Sequence, residues 1–130
     1  MIVGVGVDII KVSRVKRIVE EHGERFLNRV YSEDEISYCR RCARPAERYA
    51  TRFAAKEAVL KALGVGWQNG TRFHDVEVSN DSLGAPSIAL TGRSKEISKQ
   101  LGVTQIHISL SHDREYAIAH AVAEDTAANK

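Results

Sequence analysis

Long apolar runs are missing from this chain. The opening stretch, residues 1–7, is stopped by Asp8, and nothing approaches the ~20 residues of a membrane span. The N-terminus also lacks the basic flank of a secretory signal, so a cytosolic protein is expected. Cysteine is scarce: Cys39 and Cys42 are the only two. They form a Cys-x-x-Cys with no second Cys or His pair nearby, so a structural zinc site lacks ligands. The pattern falls within a helix and not at the strand-to-helix turn of a redox motif. Aromatics make up only 6%, which leaves few stacking platforms for single-stranded nucleic acid. A net charge of +2 sets up no large field over the whole molecule. What is present is ordinary for a globular protein. At 130 residues, 43% hydrophobic and 28% charged, the chain fits one domain with a real core. That domain is expected over residues 1–124, with 125–130 as a frayed tail.

Residues 2–10 read as a strand. Val3, Val5, Val7 and Ile9 point one way, and Gly4, Gly6 and Asp8 the other. The glycines leave bare backbone that a second element can approach closely. Ser13 is expected to cap a helix to His22, with Val15, Ile18, Val19 and His22 inward and Gly23 as its stop. A short amphipathic piece carries Phe26, Leu27 and Val30. Ser32 and Glu35 form a capping box, and the helix they open ends before Pro45. Pro45 then starts a helix running to Leu63 and stopped by Gly64. Gly64, Gly66, Asn69 and Gly70 make a loop around Trp67.

The second half changes character. Residues 74–79 and 87–90 suggest a hairpin across the turn chemistry of 80–86. A short helix follows, with Ile97 and Leu101 inward and Gly102 as cap. Residues 104–111 alternate, 112–115 form a tight turn, and 116–122 make the last strand. That strand carries an all-alanine face of Ala117, Ala119, Ala121 and Ala123, which needs a cover; oligomerisation is one way to supply it. Helices in the middle and antiparallel strands afterwards predict an α+β fold, with a small sheet packed on the long central helix.

Two acids stand out. Glu57 has Phe53, Ala54, Leu60 and Lys61 as its helical neighbours, so it lies beside an apolar stripe where a carboxylate needs a compensating cation. Asp8 closes an apolar strand and poses the same question. If the helix packs on the glycine face, the two converge, and two carboxylates with open positions suit Mg²⁺. Without a metal, Asp8 caps the next segment and Glu57 pairs with Lys61. Arg48, Arg52 and Lys56 form an i, i+4 ladder suited to gripping a phosphate or to facing solvent. Arg40, Arg41 and Arg44, and separately Lys11, Arg14, Lys16 and Arg17, suggest anionic partners. His112 sits at a strand end, where binding residues collect. His22, His74, His107 and His120 carry no such signal.

Three segments stand in order: Gly4-Val5-Gly6-Val7-Asp8-Ile9, Phe53-Ala54-Ala55-Lys56-Glu57-Ala58 and Ile108-Ser109-Leu110-Ser111-His112-Asp113. Together they resemble the bacterial holo-acyl-carrier-protein synthases of the 4′-phosphopantetheinyl transferase superfamily, over nearly the whole chain. The resemblance implies Mg²⁺-dependent transfer of 4′-phosphopantetheine from coenzyme A to a serine of apo-acyl carrier protein, in support of fatty acid biosynthesis. It implies Asp8 and Glu57 as metal ligands and Lys61 and His112 as active-site residues. It places Arg44, Arg52, Lys61, Gly64 and His112 towards coenzyme A, and Arg14 and Arg17 towards the acidic carrier. It also implies a homotrimer with each site at a subunit interface. The proton acceptor stays open among a metal-bound water, Glu57, His112 and Asp113.

Two other functions fit the residues alone: a basic module that binds an acidic protein or nucleic acid, and a metal-dependent phosphohydrolase using the same acids. Asp81-Ser82-Leu83 matches the tripeptide in which carrier proteins present their serine. Here it lies in turn chemistry before Gly84 and Pro86 and reads as a loop.

Overall fold

The computed structural model describes residues 1–66 and 69–127. Strand β1 (Ile2–Lys11) runs straight into helix α1 (Val12–His22), followed by α2 (Glu24–Val30), α3 (Glu33–Arg41) and α4 (Pro45–Ala62). A 3₁₀ turn (Phe73–Asp75) leads to β2 (Val76–Asn80) and β3 (Pro86–Leu90). Helix α5 (Gly92–Gln100) and strands β4 (Gln105–His112) and β5 (Tyr116–Glu124) complete the chain. The strands form two antiparallel sheets, one ordered β1-β5-β4 and the other pairing β2 with β3. The expected α+β architecture is what the chain adopts.

Helix α4 lies on the larger sheet, and the small residues explain why. A Cβ on Gly4 would collide with the carbonyl oxygen of Ala62, and one on Gly6 with that of Ala58. The helix answers with its own small residues: Ala50, Ala54, Ala55, Ala58 and Ala62 are all buried. So is the alanine face of β5, at 0% exposure for Ala117, Ala119, Ala121 and Ala123. The cover that the alanine face needs is supplied by α4 within the chain, and not by oligomerisation. The open face is the other one, where Val5, Val7 and Ile9 are 54–61% exposed and Tyr116 and Ile118 about 40%. Close helix–sheet approach selects the small face, and the bulkier apolar face is left outside.

The α4 terminus is a Schellman stop. Gly64 takes φ 71°, its N–H donates to the Lys61 carbonyl, and the Val65 N–H donates to that of Leu60. The capping box also forms: Ser32 Oγ accepts from the Glu35 N–H, and Glu35 Oε1 from the Ser32 N–H. Other expected ends differ. Ser13 lies inside α1, because β1 leads directly into it and Lys11 holds the cap position. His22 and Leu101, expected inward, sit exposed at helix ends. In the terminal segment, Asp125 exchanges backbone hydrogen bonds with Met1, and Thr104 Oγ1 accepts from the Thr126 N–H. Trp67, at the centre of the expected loop, lies outside the described residues.

Lys56 is the largest departure. Its i, i+4 spacing from Arg52 and Arg48 predicts a ladder facing phosphate or solvent, yet its side chain is 0% exposed. Its Nζ donates to Glu35 Oε1 at 2.7 Å and to the carbonyls of Phe73 and Val76. Glu35 Oε2 in turn accepts the Val78 N–H at 3.1 Å. One buried ion pair thus ties α3, α4 and β2 together. Burial pushes the Lys56 amine below its ordinary range, and Glu35 opposes that shift. Lys56→Ala removes the nearer of two cations from the buried Glu35 carboxylate, leaving Arg52 Nε at 4.0 Å, and should cost about 3 kcal/mol, read as a lower urea midpoint by circular dichroism.

Candidate active site

Asp8 sits where β1 passes the last turns of α4. Its carboxylate Oδ1 lies 3.3 Å from Lys61 Nζ, and the same ammonium donates to the Val7 carbonyl at 3.0 Å. Lys61 therefore pairs with Asp8, not with Glu57. Glu57 is on the same side of α4, and Asp8, Glu57, Arg14, Phe26 and Phe53 line one cavity of about 310 Å³. Burial raises the Glu57 carboxyl first, and the Asp8 charge raises it further; Lys61 and Arg14 pull the other way. Two carboxylates crowd one recess and the nearby cations only partly offset them.

That arrangement fits a divalent ion. Among the described residues no group of three or more His, Cys, Asp and Glu side chains gathers, so the site is not an all-protein cage. It is a two-carboxylate cradle open to solvent and substrate, which suits Mg²⁺ better than Zn²⁺. A carboxyl raised in the folded state holds its proton to higher pH than in the unfolded chain. Its contribution therefore favours the fold below that range and is lost as pH rises through it. In EDTA, Glu57→Gln should melt slightly above the unsubstituted protein at pH 7, and the two should coincide near about pH 4, where glutamates protonate.

His112 is elsewhere. Asp8 and Ile10 are on β1, and Ile10 and His112 both pair with Ala117 of β5, so two strand spacings, about 10 Å, separate the edges. His112 Nε2 is 3.9 Å from Glu47 Oε1 in the first turn of α4, about 15 Å along the axis from Glu57. One chain brings Asp8, Glu57 and Lys61 together and leaves His112 outside that group. Arg44 shares the His112 end, with Nε 3.5 Å from Glu47 Oε2. Arg52 is buried. Its guanidinium lies 4.3 Å over the Tyr38 ring, and Nη2 donates to Asn80 Oδ1 at 2.7 Å. Arg14 and Arg17 are exposed on α1, and only Arg14 borders the carboxylate cavity.

Asp113 serves the β4–β5 turn. Its Oδ1 accepts the N–H groups of Glu115 and Tyr116, which close the β4–β5 turn and hold its carboxyl below the usual range. Cys39 is fully buried, and burial pushes its thiol up to about 12, so it is not a thiolate at neutral pH. Asp81 Oδ1 accepts from the Leu83 and Ala85 N–H groups, so Asp81-Ser82-Leu83 is a turn. A larger cavity, about 800 Å³, lies on the other side of Phe26 and Phe53 and is lined by Val30, Phe73 and Arg72. It holds none of the paired acids.

The sequence profile of the 4′-phosphopantetheinyl transferase superfamily matches residues 4–121. The chain belongs to that superfamily. A holo-[acyl-carrier-protein] synthase of Koribacter versatilis is 42% identical over 125 residues, covering 96% of this chain and all of its own. Among solved transferases, the Neisseria meningitidis holo-[acyl-carrier-protein] synthase aligns with a TM-score of 0.87 at 30% identity, covering 95% of this chain and 99% of that one. The Helicobacter pylori enzyme, solved in complex with coenzyme A, aligns at 0.81 and 33% identity over 92% and 99%. The superfamily membership and the fold expected from the three segments are both met.

Glu47 was missed as a functional candidate. An acid in the first turn of a helix reads as a favourable dipole partner, and nothing local announces that His112 will arrive beside it.

Proposed function

We propose that the chain is a holo-acyl-carrier-protein synthase. It transfers 4′-phosphopantetheine from coenzyme A to a serine of apo-acyl carrier protein and releases adenosine 3′,5′-bisphosphate. The convergence of Asp8 and Glu57 on one recess, with Lys61 paired to Asp8, carries this reading, in a chain that matches transferases along nearly its whole length.

Asp8 and Glu57 would hold Mg²⁺, which supplies charge neutralisation at the diphosphate under attack. Lys61 is half exposed and anchored by Asp8 and the Val7 carbonyl, so its ammonium stands at the rim to meet a phosphate charge without reorganising. Arg14 on the same rim, with Arg17 further along α1, receives the acidic carrier. Arg44, Arg52, His112 and the Gly64 turn serve the coenzyme A end. The open apolar face of β1 and β5 packs against other copies in a homotrimer, so that His112 and Arg44 of one copy complete the carboxylate site of the next. The separation of His112 from Asp8 within one chain supports this shared site. The enzyme works in the cytoplasm, in fatty acid biosynthesis.

The test is product release followed by chromatography. Adenosine 3′,5′-bisphosphate should form from coenzyme A only when both Mg²⁺ and apo-carrier are present. Release without carrier makes the protein a phosphohydrolase. Carrier or nucleic-acid binding with no release and no metal requirement makes it a binding module.

A further inference from the structure

We infer that Glu47 is a positioning residue for the coenzyme A site, one that sets Arg44 and His112 side by side; this rests on the transferase reading above. Glu47 is only 10% exposed in its side chain. Its two carboxylate oxygens face different elements. Oε2 is 3.5 Å from the Nε of Arg44, which holds the N-cap position of α4, and Oε1 is 3.9 Å from the Nε2 of His112, at the end of β4. The Glu47 backbone is fully used within the helix, accepting from Thr51 Oγ1 at 2.7 Å and donating to the Arg44 carbonyl.

The fold has no need of a carboxylate buried at this point. An exposed acid in the first turn would complement the helix dipole equally well, and burial costs solvation that neither contact returns at hydrogen-bond distance. What the carboxylate does is bridge. A guanidinium and an imidazole that can carry a proton repel or drift apart when nothing stands between them. Glu47 gives both a common counter-charge from behind and leaves their remaining N–H groups free to turn outward. The result is a two-pronged anion site held by a third, non-contacting group. The reacting diphosphate belongs with Asp8, Glu57 and Lys61. The phosphate that Glu47 organises is therefore the remote one, the 3′-phosphomonoester of the donor.

The experiment compares Glu47→Gln and Glu47→Asp with the unsubstituted enzyme on two donors, coenzyme A and 3′-dephospho-coenzyme A. Thermal melts and calorimetric titration of coenzyme A accompany the kinetics. For Glu47→Gln, KM and Kd for coenzyme A should rise about tenfold with kcat within about twofold. Its KM for the dephospho donor should be unchanged, and Glu47→Asp should recover part of the coenzyme A loss. Equal losses on both donors, or a loss confined to kcat, overturns the inference. So does a lowered melting temperature with no change in the coenzyme A to dephospho ratio. If the unsubstituted enzyme transfers nothing to the carrier, the transferase reading falls first and this inference with it.

Discussion

Asp8→Asn and Glu57→Ala each reduce transfer by about 10³-fold or more, and both variants stay folded. The size of the effect follows from the geometry. The two acids face one recess, burial and the Asp8 charge raise the Glu57 carboxyl, and Lys61, which pairs with Asp8, is half exposed. Removing one leaves a single carboxylate, which cannot orient a divalent ion against a diphosphate. The fold is indifferent because neither carboxylate supports packing: the core under α4 is made by alanines and by Gly4 and Gly6. Initial rates at saturating Mg²⁺, with circular dichroism as control, decide the matter. Activity within about tenfold of the unsubstituted protein in either variant means that the metal cradle is elsewhere.

Asp8→Asn and His112→Ala, each nearly inactive alone, restore one another when refolded together. If a site takes Asp8 from one copy and His112 from the next, equal mixing in a trimer leaves about a quarter of the sites intact. The expected rate is thus about a quarter of the unsubstituted one, against near zero for each homotrimer. A site built within one chain gives no recovery at any ratio. Recovery is expected because Asp8 and His112 lie near opposite ends of α4, beside Lys61 and Glu47, while the face outside the sheet, with Val5, Val7 and Ile9, is left uncovered. Ile9→Glu on that face should likewise yield a folded monomer with little activity, seen by light scattering.

Much of this was readable from the chain because some residues announce geometry locally. Gly4 and Gly6 on one strand face signal close approach, Ser32 with Glu35 signals a helix start, and Gly64 signals a stop. Each depends on neighbours within a few residues, and each formed. Lys56 was not readable. Its partners are Glu35, twenty-one residues earlier, and the carbonyls of Phe73 and Val76, so nothing in its own helix marks it as buried. Alternation on β1 separates two faces, and the glycines mark the one that α4 covers; what the alternation leaves unsaid is that the Val5, Val7 and Ile9 face stays open within one chain. Arg52 was readable as a cation but not as a buried one, since its ring partner Tyr38 and its acceptor Asn80 come from different elements. Glu47 needed His112, sixty-five residues on, to show what it faces.

The most direct measurement is the intact mass of an apo-acyl carrier protein after incubation with this protein, coenzyme A and Mg²⁺. The carrier should gain one phosphopantetheinyl group, completely, and gain nothing when EDTA replaces Mg²⁺ or when its acceptor serine is changed to alanine. An unchanged carrier mass with active protein and metal present would contradict the account, as would a gain that persists in EDTA.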